Sequence, residues 1–265
     1  MKDRALALAL SFPQKQRKNV LREYMQANIL YSIQQSGAFQ YIAFQGGTAL
    51  RFLYSIKRFS EDLDFALEKK EGFDFRKMKE KILKDLQYGG FQVTIHEKKP
   101  KTVKVLSVRV SEVLFKAQVS RRENENLDIH VDIDTNPPSG AHFMTTLINH
   151  HFVLSLRHHD LASSMAGKLH AVFMRPYVKG RDLYDLLWYL TNVQKVAPNI
   201  LFLNNALKQT GWKGAGMTEE NWKKELFAHI SKFNWEEIVR DVSSFLEVPS
   251  EAKFLELKTF EGLLH

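Results

Sequence analysis

The sequence predicts an α+β protein in two parts: a mixed α/β lobe over residues 1–155 and an all-helical lobe over residues 156–265. Three observations predict it. Strand-like runs are confined to the first part and end with an alternating acidic strand at 127–134. A short apolar run, a Gly-Gly turn and a helix lead into a strand that opens with two carboxylates. Beyond about residue 157, the apolar residues recur at helical spacing.

The elements follow in order. Residues 14–36 place Val20, Leu21, Tyr24, Met25, Ala27, Ile29, Leu30 and Ile33 at roughly helical intervals, and Gly37 offers a stop. Residues 39–44 are aromatic and β-branched, as in a short buried strand. A helix is expected over 48–56, a strand over 63–67, and a helix over 73–87 that ends at Gly89-Gly90. Strands are expected over 91–95 and 103–110, with another over 115–119. Over 127–134, Leu127, Ile129, Val131 and Ile133 take one face, and Asp128, His130, Asp132 and Asp134 the other. The run from Thr135 to Gly140 breaks that strand with turn residues. Asp160 is placed to cap a helix reaching Met174. A second helix spans 181–190, and three or four more follow, one starting near Thr218.

Bulk properties bound the function. The chain of 265 residues is 44% hydrophobic and 26% charged, ordinary for a globular protein. Its 38 Lys+Arg against 30 Asp+Glu leave a formal charge of +8, which favours an anionic partner and is compatible with nucleic acid. With no cysteine, disulfides, thiolate metal sites and cysteine nucleophiles are excluded. The apolar stretch near the N-terminus is short, follows Asp3 and Arg4, and lacks a small-residue cleavage site, so no signal peptide is expected. No run approaches the roughly 18 apolar residues of a membrane helix, and a cytoplasmic protein is the expectation.

The chemistry concentrates at 41–67. Asp62 and Asp64 stand two residues apart at the start of a strand, so both carboxylates leave one face. Two like charges that close repel unless a cation lies between them. Mg²⁺ (or Mn²⁺) shared with nucleotide phosphates is the natural cation, because it takes oxygen ligands and is held by one or two carboxylates. Asp132 completes the set if its strand lies beside the first, either as general base for an attacking hydroxyl or as a further metal ligand. Gly46 and Gly47 let the backbone approach a phosphate, and the Thr48 hydroxyl and the following helix N-terminus can bind its oxygens. Arg58 and Ser60 precede the carboxylates, and Arg58 is suited to either a carboxylate or a phosphate. Lys168 lies among helical apolar positions and can reach phosphates as a point charge. Asp182 is suited to the start of its helix, and Asp185 shares a face with Arg181 at i,i+4 spacing.

Four segments, GGTALR at 46–51, RFSEDLDF at 58–65, LDIHVDID at 127–134 and KLHAVFMRPYVKGRDLYDL at 168–186, resemble in that order the AbiEii/AbiGii-type nucleotidyltransferase toxins. These belong to the DNA polymerase β-like nucleotidyltransferase superfamily and include the MenT toxins. The resemblance covers about residues 40–190. It implies a polymerase β-like nucleotidyltransferase lobe followed by a helical lobe. It also implies the toxin of a bacterial or archaeal toxin–antitoxin or phage-defence pair, with an AbiEi-like antitoxin encoded beside it. Characterised relatives move a nucleotide from an NTP to the 3′ end of tRNA. Carried over, Gly46, Gly47 and Thr48 match the phosphate-binding motif, and Asp62 and Asp64 the metal-binding pair. Lys168 matches the family lysine that contacts nucleotide. Asp185 best matches the last family acid, with Asp182 competing, and Asp132 is preferred to Asp134 in the third motif. Gly167 stands where many members carry Glu before the lysine.

Three weaker signals remain. Lys98-Lys99-Pro100-Lys101 with Lys104, Arg121 and Arg122 can track an RNA backbone or form a solvated loop. Adjacent histidines on a strand point to opposite faces, so His150-His151 and His158-His159 are not expected to chelate a metal. Tyr184, Trp188 and Tyr189 fall at helical spacing, as core residues rather than a base-stacking platform.

Overall fold

The fold is taken from a computed structural model that describes residues 1–98, 102–192 and 196–264. The chain divides into two compact units. One comprises Met1–Tyr54, Phe59–Pro137 and Thr145–His158; the other Ser55–Arg58, Pro138–Met144 and His159–His265.

The first unit is built on a mixed sheet. Its strands are β1 (Ile42–Gln45), β2 (Leu63–Leu67), β3 (Val93–Lys98), β4 (Val103–Val110), β5 (Leu127–Asp134), β6 (Phe143–His150) and β7 (Phe152–His159), in the order β3-β4-β5-β2-β1-β7-β6. β1 runs antiparallel to β2, β2 parallel to β5, and β4 antiparallel to both β5 and β3. Among the described residues, five helices accompany it: α1 (Lys2–Leu10), α2 (Gln14–Ser36), α3 (Gly46–Tyr54), α4 (Phe75–Tyr88) and the short α5 (Val113–Lys116).

Alternation along β5 sets the core. Leu127, Ile129, Val131 and Ile133 are fully buried, each stabilising the fold by about 1.5–3 kcal/mol. Phe65, paired with Ile133, stacks on Phe44 at 5.2 Å, and Met78, Ile82 and Leu86 of α4 join the same cluster. The opposite face of β2 and β5 is left to the carboxylates.

Several expectations shift. The strand expected from residue 39 starts at Ile42, because Gly37 caps α2 at φ 81° and Ala38–Gln40 form a 3₁₀ turn. The expected strand over 115–119 is instead α5 and a turn. Val113, Leu114 and Ala117 are buried at helical intervals, whereas Phe115 is exposed. β6, β7 and α1 were not anticipated. β6 is largely exposed and carries little alternation, although Leu154 and Leu156 on β7 are buried and alternate with exposed neighbours.

The second unit is helical: α6 (Leu161–Met174), α7 (Gly180–Thr191), α8 (Ile200–Gln209), α9 (Trp222–Ile230), α10 (Trp235–Ser243) and α11 (Leu257–Leu264), with a 3₁₀ segment at Pro249–Phe254. Asp160 caps α6 by accepting from the Ser163 amide at 2.8 Å. Leu169, Leu183, Leu186, Leu203, Leu226 and Phe260 are fully buried in this unit. Among the described residues, no helix is long and apolar enough to cross a membrane.

Candidate active site

The register of β2 and β5 brings three carboxylates to one sheet face. Asp64 is the direct partner of Asp132 on adjacent parallel strands, and Asp62 stands two residues earlier on the same side. Burial pushes the Asp132 carboxyl above its ordinary value, and the negative charge of Asp62 adds to the effect. Asp132 Oδ1 is buried without a hydrogen-bond partner. Asp134, one position beyond the core-facing Ile133, accepts from the Asn136 amide at 2.9 Å; burial raises its carboxyl too. Asp132, not Asp134, pairs with Asp64.

Local structure explains how the acids are held. Gly46 opens α3 at φ 79°, in the left-handed region, and a Cβ there would collide with the Asp64 carboxylate. Only glycine meets both demands, so this residue lets the α3 N-terminus and Asp64 occupy adjoining space. Gly47 and Thr48 follow in the first turn and are buried. The Thr48 hydroxyl donates to the Asp62 carbonyl, so its proton is committed to holding β2 rather than turned to a phosphate. Ser60 is half-buried, and its carbonyl and that of Glu61 accept from Gln26 Nε2 at 3.1 and 2.9 Å. His130 Nδ1 lies 3.2 Å from Asp62 Oδ1. Sequence reasoning missed both Gln26 and His130 as supports. The position of His130 on the acidic face of β5 was the available signal.

The remaining predicted site residues gather in the second unit. Arg58 is fully buried and donates twice to Asp185, Nε to Oδ1 and Nη2 to Oδ2, both at 2.6 Å. Lys168 Nζ lies 2.8 Å from Asp185 Oδ2 and 3.0 Å from Asp182 Oδ1. Arg175 reaches Asp182 at 2.9 Å. Burial works against the charges of Lys168 and Asp182. Asp185 and Asp182 nevertheless hold the Lys168 ammonium above its ordinary pKa, and Lys168 and Arg175 hold the Asp182 carboxyl below its own. Of the two partners open to Arg58, the structure selects a carboxylate. Asp185, which shares a helix face with Arg181, pairs with Arg58, and Arg181 covers the Phe245 ring at 4.0 Å. A Cβ at Gly167 would meet nothing within 4 Å.

The other sequence signals also resolve. Lys98 lines a cleft of about 460 Å³ with His96, Ser107, Arg109, Asp128 and His130, on the face of β5 that carries Asp132. Lys104 pairs in register with core-facing Ile133 and covers the Phe75 ring at 4.6 Å, on the other face. Lys99, Pro100 and Lys101 lie outside the described residues. Tyr184 and Tyr189 are buried, while Trp188 helps line a cavity of about 470 Å³ with Leu187, Phe254 and Lys57. The expectation that adjacent histidines diverge fails at 150–151. His151 takes φ 62° in the link between β6 and β7, and both rings turn towards Glu23.

Comparison with known proteins adds the following. A family model described as nucleotidyl transferase AbiEii toxin of a type IV toxin–antitoxin system matches residues 28–257. Two solved structures from Helicobacter pylori share the fold. One, described as a candidate nucleotidyltransferase, is 20% identical with a TM-score of 0.51, covering 92% of this chain and 96% of its own. The other, JHP933, is 18% identical with a TM-score of 0.51, covering 92% and 94%. A search of curated proteins finds no match.

Proposed function

The chain belongs to the AbiEii family of nucleotidyltransferase toxins, and from that premise we propose that it transfers an NMP from an NTP to RNA, at the 3′ acceptor end of tRNA, with Mg²⁺ (or Mn²⁺) held by Asp62, Asp64 and Asp132. It is a nucleotidyltransferase, and membership of a type IV toxin–antitoxin family implies an antitoxin partner. In this reading the partner is AbiEi-like, the protein works in the cytoplasm, and the pair serves phage defence.

The observation that carries the reading is the Asp64–Asp132 register with Asp62 beside it. The donor chemistry of these residues suits a hard divalent cation. They supply only oxygen donors, and Asp132 Oδ1 is buried with no hydrogen bond. When bound, such an ion neutralises phosphate charge and polarises the α-phosphorus.

The chain's own residues supply the rest. The N-terminal amides of α3, from Gly47 and Thr48, favour the triphosphate oxygens. Thr48, Gln26 and His130 hold the 60–64 segment in place on this face. The acceptor hydroxyl attacks the α-phosphorus as the bond to the β-phosphate oxygen breaks and pyrophosphate leaves. Asp132, in register with Asp64 on the same face, is the group placed to take the hydroxyl's proton. Lys168, Asp185 and Arg58 are assigned parts in the reaction by their motif positions alone. Their paired charges support a positioning part for Arg58 and Asp185, and a phosphate contact by Lys168 requires it to exchange a carboxylate for the nucleotide.

The second reading keeps the site and changes the acceptor to a protein side chain. A third, a silent protein that only docks its antitoxin or RNA, is disfavoured by the complete acidic set. Products labelled from α-³²P-NTP separate the first two. Label on RNA is removed by nuclease and survives protease, as proposed here. Label removed by protease alone would replace tRNA with a protein acceptor.

A further inference from the structure

The chain carries a second cluster of metal-ligand type, with different donors, in the first unit. Glu23 of α2, His150 at the end of β6 and His151 in the link to β7 each offer one ligand atom, all within 4.8 Å of one another. His150 Nε2 lies 3.0 Å from Glu23 Oε1, and His151 Nε2 lies 3.7 Å from the same oxygen. We infer that Glu23, His150 and His151 form a binding site for a borderline divalent transition metal such as Zn²⁺, with water completing a tetrahedron.

Four features support the inference. The donor set is two imidazoles and one carboxylate, which selects zinc-like ions over Mg²⁺. His151 occupies the left-handed region at φ 62°, unusual for a residue other than glycine, and this conformation turns two consecutive histidines towards one carboxylate. His151 Nε2 is buried, and at 3.7 Å it is too far from Glu23 for a hydrogen bond. Finally, Arg51 Nε donates to Glu23 Oε2 at 2.5 Å, which orients the carboxylate and leaves Oε1 towards the rings.

The geometry needs modest closure. A tetrahedral ion with bonds of about 2.05 Å holds its ligands about 3.3 Å apart. Two of the separations, 3.0 and 3.7 Å, already bracket that figure. The two imidazole nitrogens, no more than 4.8 Å apart, draw together by at most about 1.5 Å through side-chain rotation. The His150 and His151 side chains keep 30% and 19% of their exposure, which leaves room for ion and water to enter. Packing holds the rings from behind: His150 lies edge-on to Phe52 at 4.8 Å, and His151 edge-on to Tyr24 at 5.2 Å. A bound ion would pin the β6–β7 link to α2 and, through Arg51, to α3. This claim is independent of the transfer reaction and stands or falls without it.

The test uses the full chain, stripped of metal and titrated with Co²⁺. The inference predicts one equivalent with the strong visible absorption of tetrahedral nitrogen/oxygen ligation, displaced by Zn²⁺ and unaffected by excess Mg²⁺. Asp62→Asn/Asp64→Asn should keep that signal, while His150→Ala and His151→Gly should lose it. His151→Gly accepts the left-handed backbone without strain, so it stays folded where an alanine variant could fail. Zn²⁺ should also raise the Tm of the wild type and not that of His151→Gly. An absent signal, one that survives both histidine variants, or one lost in the aspartate variant would each overturn the inference.

Discussion

Gly46→Ala tests the link between the α3 turn and the acidic face. Gly46 and Gly37 share nearly the same backbone, φ 79° and 81°, but differ in surroundings. A Cβ at Gly37 meets nothing within 4 Å, whereas a Cβ at Gly46 would collide with the Asp64 carboxylate oxygen and lie 3.1 Å from Asp64 Cβ and Cγ. An alanine held in the left-handed region costs about 1–2 kcal/mol. Restricting the unfolded chain returns about 0.4–1 kcal/mol. Both variants should therefore lose about 1 kcal/mol in urea denaturation, with Gly46→Ala slightly worse. Activity should separate them. Asp64 must move away from the new methyl group, and a misplacement on the order of 1 Å at a reacting centre costs about 10²-fold in rate. Initial rates of NMP incorporation from α-³²P-NTP should fall by about that factor in Gly46→Ala and stay near wild type in Gly37→Ala. Equal activity in the two variants, or equal loss in both, would refute the reasoning.

Further predictions concern the charged network and the support of Asp62. Arg58→Met removes two charge-assisted 2.6 Å contacts to fully buried Asp185, which keeps Lys168, and should cost about 3 kcal/mol or more. Lys168→Met should cost less, about 1–3 kcal/mol, because Asp185 keeps Arg58 and Asp182 keeps Arg175; the reverse order in denaturant melts would contradict this. Asp182 has a folded pKa below its ordinary 3.8, so its stabilisation is complete above that value and is lost as the pH falls through the lower folded value. Asp182→Asn should accordingly be less stable than wild type at pH 7, by about 1–3 kcal/mol, with the gap closing below about pH 4. A gap of constant size across that range would count against the assignment. His130→Ala should lower kcat/KM by about 10-fold or more and raise the Mg²⁺ concentration needed for half-maximal rate, with partial rescue by His130→Asn. An unchanged Mg²⁺ dependence would remove His130 from the support of Asp62.

Much of the first unit was legible where one periodicity dominates. The alternation at 127–134 placed β5 and its acidic face, and the Asp-x-Asp at 62–64 placed two carboxylates on one side. What the sequence did not contain was register. That Asp132 rather than Asp134 stands opposite Asp64 is a pairing property, and motif position pointed to it before the strands were seen side by side. Long-range partners were also hidden. Arg58 and Asp185 are 127 residues apart, and only folding gives a charge so placed its partner. Weak or mixed patterns misled. The stretch over 115–119 that read as a strand is the end of the single-turn α5 and the turn after it, and β6 exposes most of its side chains. The histidine pair at 150–151 was misread because strand alternation was extended through a residue whose positive φ ends it.

The most direct test incubates the protein with Mg²⁺, total tRNA and each α-³²P-NTP in turn, resolved on a denaturing gel beside Asp62→Ala/Asp64→Ala. The account predicts a labelled tRNA band with at least one NTP and none in the variant. A band of equal strength from the variant, or no labelled product from the wild type with any NTP, would contradict it.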